Sequence, residues 1–204
     1  MRIDVSLRVV GLMLIAVGGL ACLAPFAVLG YGMWEESQLT QSWSQQFATA
    51  PTTPADGAGR SSAGPDNATP DPQRADALPA LFAIRVAKIG YYAAVRQGVS
   101  LDVLATGPGH YPTTAMPGKP GLVAIAAHNT FWIPFGKLEP GDAVELETRY
   151  GKFNYRITGT RIVEADDRTV LAQTTDPRLV LTTCWPLWAG NLAPQRLAIF
   201  ARQV

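Results

Sequence analysis

Leu179–Phe200 reads LVLTTCWPLWAGNLAPQRLAIF: a β-like run that stops at Cys184, a loop rich in Trp and Pro, and a second β-like run that opens with Arg196. Pro186 has no backbone N–H and restrains Trp185 to extended backbone, so a strand that reaches Cys184 does not continue through the loop. The thiol is thereby handed to a loop mouth. Arg196 lies twelve residues beyond Cys184, a separation that a loop followed by an antiparallel return closes. The stretch predicts two neighbouring strands whose shared end carries a cysteine and an arginine.

Period-two patterns surround it. LFAIRVAKI (81–89) and YYAAV (91–95) read as short strands separated by Gly90, and VSLDVLATGPG as a Ser100 cap followed by one or two helical turns. LVAIAAH (122–128) is a nearly continuous apolar run that fits a central strand and ends at His128. DAVELETRY and KFNYRITGTRIVEA alternate apolar with polar residues and meet in a tight turn at Gly151, which predicts a hairpin. Seven or eight short strands with little helix predict an all-β, mostly antiparallel barrel or sandwich.

The amino-terminal part is built differently. Val9–Met33 holds 25 consecutive residues without a formal charge, enough at about 1.5 Å per residue to cross a hydrocarbon core of about 30 Å. Arg2 and Arg8 precede it and Glu35 and Glu36 follow, so the amino terminus is expected on the cytoplasmic side and the remainder outside. The run is longer than the apolar core of an ordinary signal peptide, which favours a retained anchor. Residues 34–78 have too few large apolar side chains to offset the entropy of ordering a backbone and read as a flexible tether. The expected organisation is a cytoplasmic segment 1–8, a transmembrane helix 9–33, a tether 34–78 and a folded domain 79–204, a single-pass membrane protein.

The tether is mildly acidic with no basic tract suited to nucleic acid, and from Pro79 on 13 Lys or Arg face 9 Asp or Glu, a mild +4 balance that reads as an ordinary mixed surface. No phosphate-binding loop, dinucleotide fingerprint or CxxC pair is present, and two histidines with one external cysteine are too few for a structural zinc site. Neither a metal nor another cofactor is expected. Asp166 and Asp167 are adjacent and read as a solvated turn rather than a carboxylate pair.

His128, Cys184 and Arg196 each sit at a strand end. If the strands ending at His128 and Cys184 run parallel, and the strand opening at Arg196 pairs antiparallel with the latter, all three meet at one rim. That set suits acyl transfer: a thiolate attacks a carbonyl, an imidazole protonates the leaving amine, and a guanidinium donates to the developing oxyanion. A nearby positive charge also favours the thiolate form of a cysteine. Each residue type has a plainer use, since a lone cysteine is often a small buried hydrophobe, a lone histidine a satisfied core residue and a lone arginine a surface group. A non-enzymatic peptide- or glycan-binding β-module, and a hydrolytic cysteine endopeptidase, remain alternative readings of the same residues.

At these residues the chain resembles the sortases, membrane-anchored cysteine transpeptidases of bacterial envelopes. The resemblance covers 81–204 and rests on the order of GHYPTTAMPGKPG, LVAIAAHNTFWIPFGKLEPGDAVELET, LVLTTCWP and QRLAIFA behind an amino-terminal anchor. It implies a closed barrel with one or two short helices. It also implies His128 as general acid and base, Cys184 as nucleophile and Arg196 as the residue that steadies substrate and intermediate, with His110 structural or peripheral. Thr183, Ala126 and Ala127 are implied near the peptide, and Ile133, Pro134 and Trp185 as groove walls. The implied partners are secreted proteins bearing a carboxyl-terminal sorting signal of LPxTG or LAxTG type, and an amine from a peptidoglycan precursor or a pilin lysine. LTTC followed by a residue and Pro is most similar to class E, with class D next. Asn129 departs from the family, where many members carry arginine after the catalytic histidine.

Overall fold

The structure, a computed structural model, describes residues 2–48 and 80–204. Eight strands form its body: β1 Phe82–Val86, β2 Tyr91–Gln97, β3 Gly109–His110, β4 Leu122–Ala126, β5 Ala143–Thr148, β6 Gly151–Glu164, β7 Arg178–Trp185 and β8 Gln195–Gln203. They close into a barrel in the order β1-β2-β3-β4-β7-β8-β6-β5, with β5 returning to β1. Of the neighbouring pairs only β2 with β3 and β4 with β7 are parallel. Closure leaves little sheet edge to pair with another chain, the part of β2 that β3 does not reach being met by the amino-terminal helix. Among the described residues, helix is confined to α1 (Arg2–Ala48), α2 (Leu101–Leu104) and α3 (Asn129–Trp132), with 3-10 turns at the corners. The closed barrel with short helices matches the expected fold.

The β5–β6 hairpin forms where the alternation and Gly151 placed it, with Thr148 opposite Gly151 in register. Alternation also sorts the side chains of the central strands into two layers. Leu179 and Leu181 of β7, Val123 and Ile125 of β4, and Leu197 and Ile199 of β8 belong to the barrel interior, with Phe82, Ile84, Leu146 and Tyr155. Their sequence neighbours Val180, Leu122, Ala124 and Ala198 form a second, smaller cluster on the outer face with Val163 and Val170. That outer cluster exists because the segment after β6 folds back over the sheet: its 3-10 turn Arg168–Leu171 buries Val170 there, capped by the Asp167 carboxylate, which accepts from the Thr169 N–H at 2.8 Å. Asp167 thus serves a turn, as expected.

The amino-terminal helix corrects the expected boundary at residue 34. α1 is the one helix among the described residues long and apolar enough to cross a membrane, and it continues unbroken through Ala48. Its last turns lie on the barrel. Leu39 and Trp43, four residues apart and so on one helical face, are buried in the barrel's own core cluster. Glu36 accepts from the Tyr91 hydroxyl at 2.8 Å, and Glu35 pairs with Arg96 at 2.8 Å. The Thr40 hydroxyl accepts from the Ala94 N–H at 3.1 Å, on a strand where β3 covers only Arg96 and Gln97. A helix already formed across the apolar run extends without a second nucleation cost, so two large apolar side chains suffice to seat it. Of the expected tether, 49–78 lies outside the described residues.

Candidate active site

Strand parity places the three expected residues. Cys184 and Arg196 are direct cross-strand partners in the antiparallel β7–β8 pair, so their side chains share a face. They share it with Val180 and Ala198, which makes it the outer face. β4 runs parallel to β7 with Ala126 beside Thr182, and the Ala127 N–H donates to the Thr182 carbonyl at 3.2 Å, carrying that register one residue further. His128 is the next residue of the same parity as Ala124 and Ala126. The parallel and antiparallel pairings are those the sequence required for one rim.

All three side chains border one open groove of about 310 Å³. Its floor is the ends of β4, β7 and β8. One wall is Leu101 and Leu104 of α2, and the other is Val163, Val170 and Leu171 from β6 and the segment after it. Each member of the trio is half-buried. The His128 backbone caps α3, its carbonyl accepting from the Phe131 and Trp132 N–H groups at 3.1 and 3.3 Å, which fixes the chain while the ring faces the groove. Burial, and secondarily the Arg196 charge, hold the His128 imidazole below its ordinary value of 6.5, so it is neutral near neutral pH. The Arg196 guanidinium donates to the Gln195 and Ala193 carbonyls at 2.9 and 3.3 Å, which aims it along the β7–β8 loop. Cys184 forms no disulfide. A free thiol, a neutral proton acceptor and a fixed cation on one groove floor form a set able to carry out nucleophilic acyl chemistry.

The other expected residues divide. Ala126 and Ala127 line the groove, and their small side chains leave room above the sheet. Thr183 borders it but has the parity of Leu181; it is buried, and its hydroxyl has no hydrogen-bond partner among the described residues. Trp185 and Ile133 are not among the lining residues. Trp185, one residue past Cys184, turns to the other face and lines a separate depression of about 240 Å³ with Phe135 and Leu197. Ile133 is exposed on the 3-10 turn Ile133–Lys137, and Pro134 sits in that same turn. His110 is inside the barrel, edge-on to Phe82, with Nε2 near the Ala115 carbonyl at 3.0 Å and the Thr114 hydroxyl at 3.1 Å. Burial lowers its pKa. Asn129, buried, reaches the Gly190 carbonyl at 3.5 Å and so ties α3 to the β7–β8 loop.

Sequence reading missed both groove walls. The short apolar patterns of α2 and of Val170–Leu171 were visible, but nothing local says that they fold over the ends of β4 and β7. Among the described residues, no three His, Cys, Asp or Glu side chains cluster as metal ligands.

Comparison with known proteins places this arrangement. The family model described as a Sortase domain matches residues 84–204. Sortase D of Bacillus subtilis (strain 168) is 35% identical over 124 residues, which are 59% of this chain and 62% of that protein; the match thus spans less than two thirds of the relative's length. Among solved structures, a Clostridium perfringens Sortase D5 transpeptidase superposes with a TM-score of 0.62 at 22% identity, covering 83% of this chain and 98% of that one. A pilus-related Sortase C of Group B Streptococcus gives 0.57 at 24% identity, covering 62% and 68%. These two likenesses are of fold.

Proposed function

The chain belongs to the sortase family, and we propose that it is a cysteine transpeptidase which cleaves a sorting signal of LPxTG or LAxTG type and transfers the acyl group to a cell-envelope or pilin amine. The observation that carries this reading is the in-register pair of Cys184 and Arg196 with His128 on the same groove. In the first step His128, neutral near pH 7, takes the proton from the Cys184 thiol. Sγ then attacks the carbonyl carbon of the signal's threonine. The oxyanion that forms accepts hydrogen bonds from the Arg196 guanidinium, and collapse breaks the C–N bond while the imidazolium gives its proton to the departing glycine amine. A thioacyl enzyme remains. In the second step an acceptor amine attacks the thioester, His128 takes its proton, and the new amide leaves as the proton returns to sulfur. Ala126 and Ala127 would lie under the peptide, and Thr183 would steady the strand beneath Cys184.

Two finer assignments follow. LTTC with Pro186 favours class E, but the Bacillus subtilis relative carries the name Sortase D, and we place the chain in class D. Residues 9–33 of α1 would cross the membrane once, with the barrel on the extracytoplasmic side; this rests on the length and apolarity of the helix and on its basic amino-terminal flank.

The test is incubation of the membrane-reconstituted chain with a sorting-signal peptide, with and without an amine acceptor, followed by mass spectrometry. A thioacyl adduct on Cys184 that is consumed faster with amine, yielding the amide, supports transpeptidation. Adduct and hydrolysis indifferent to amine would make the protein an endopeptidase, and absence of adduct with retained peptide binding would make it a binding module.

A further inference from the structure

The β7–β8 loop, which joins Cys184 to Arg196, exposes large apolar side chains. Trp188 is 84% and Leu192 88% exposed, and Ile133, on the neighbouring turn, is 56% exposed. The loop rests on α3 and the turn after it: Asn129 reaches the Gly190 carbonyl, and Leu187 packs so closely on Gly136 that a side chain there would collide with it. α3 in turn touches α1. Phe131 lies beside Gly32, where a Cβ would also strike the Ala105 carbonyl, so only glycine permits this approach.

The height of that contact matters. About 20 residues of helix cross the hydrocarbon core, so a span beginning at Val9 ends within about one turn of Gly32. Tyr31 and Trp34, both exposed, flank the contact with the aromatic side chains common at a bilayer surface. Because α1 runs unbroken from the span onto the barrel, α3 and the loop packed on it are held at this level. The two segments 129–138 and 184–196 carry no Asp or Glu, only Lys137 and Arg196; the carboxylates at their borders are engaged, Glu139 with Lys88 and Glu164 with Gln195.

We propose that Ile133, Trp188 and Leu192 form a membrane-contacting surface that enters the outer leaflet beside α1, with Lys137 against phosphate headgroups. The proposal rests on the anchoring of α1 in a membrane and not on the transpeptidase reading. Exposed apolar side chains with a nearby lysine suit a phospholipid surface, where the rings sit at headgroup depth and the lysine pairs with phosphate. The consequence is that the catalytic groove opens beside the bilayer, where peptides and acceptors that are themselves membrane-bound arrive.

The test uses the full chain reconstituted in phosphatidylcholine/phosphatidylglycerol bilayers, with or without bromine on the upper acyl chains, comparing wild type with Trp188→Phe and Trp34→Phe. Both substituted side chains are exposed, so neither change disturbs the core. The emission that disappears in Trp188→Phe is expected to be mostly quenched by brominated lipid and poorly quenched by aqueous iodide. Quenching of the Trp34 component alone would overturn the loop contact while leaving the anchor intact. Quenching of neither would overturn the anchor and the loop contact together. A Trp188 component shielded from both bromine and iodide would assign the surface to a protein partner or a second copy, and also overturns the proposal.

Discussion

Thr183 and Cys184 are consecutive residues of one strand, and they live in different chemistries. Thr183 has the parity of the barrel interior, where its neighbours are aliphatic and its hydroxyl is unpartnered. Cys184 has the parity of the outer face, where it meets Arg196 and a groove. The two histidines repeat the contrast. His110 faces inward, fully buried and hydrogen-bonded on both sides of its ring, while His128 faces outward, half-buried above the thiol's sheet. The inward histidine is used up in packing and hydrogen bonds, and the outward one borders the groove. A side chain's role here is set less by its type than by the face its position gives it and by what covers that face.

The largest expected effect belongs to the outer face. Cys184→Ala should abolish both adduct and amide product, and residual cleavage by that variant would mean that another group is the nucleophile. His128→Gln should lower kcat/KM by roughly 10²–10⁴-fold, the usual worth of a positioned acid–base group, with an unfolding midpoint near wild type. The inner histidine should do the reverse. His110→Leu leaves the buried Ala115 carbonyl without the ring nitrogen 3.0 Å from it, while Thr114 keeps its bonds to Tyr111 and Ala124, so it should destabilise the barrel by about 1–3 kcal/mol in denaturant melts while activity per folded molecule persists. Equal loss of activity in the two variants would erase the distinction between the faces.

pH sharpens the same contrast. The folded state holds both histidines below the ordinary 6.5, so the unfolded chain binds more protons as acid is added. Stability from these groups is full above pH 6.5 and falls as pH drops toward the lowered folded values. His110→Leu should flatten part of that acid-side decline, leaving the share due to His128. Arg196→Gln removes a charge that opposes protonation of His128, so the imidazole pKa should rise, with burial still keeping it below ordinary; an NMR titration reads this directly, and an unmoved His128 would show that the two do not interact across the groove. The smallest effect is expected at Thr183→Val, which replaces an unpartnered buried hydroxyl with a methyl group and should stabilise the fold by about 1 kcal/mol without altering turnover. Loss of stability there would reveal a partner for that hydroxyl.

Much of the barrel was legible because its strands are half-covered. Val144, Leu146 and Thr148 alternate with charged residues, and Gly151 marks the hairpin, since one face of β5 meets the core and the other is polar, with Glu147 there buried beside Tyr92. Cys184 and Arg196 could be paired from strand ends, because Pro186 stops β7 and an antiparallel return brings Arg196 back opposite Cys184; His128 joins them through the parallel β4–β7 pairing. The helical seat of 34–48 was not. Leu39 and Trp43 are too few to announce an amphipathic helix, and the contacts that hold it, Glu36 with Tyr91 and Thr40 with Ala94, lie more than fifty residues apart in the chain. Trp185, which the resemblance implied as a groove wall, lines a different depression from Cys184, as period two sends adjacent side chains to opposite faces.

By itself the sequence determined the alternating strands, the apolar helix before them, and a cysteine, a histidine and an arginine each left at the end of a strand. These are local matters, written in hydrophobic period and in where proline and glycine interrupt it. Only the tertiary structure decided that β4 lies parallel to β7, that the 165–172 segment and α2 rise as walls beside Cys184, and that α1 runs onto the barrel. Those outcomes depend on which distant surfaces exclude water together, and burial of that kind is a property of the closed barrel rather than of any window along the chain.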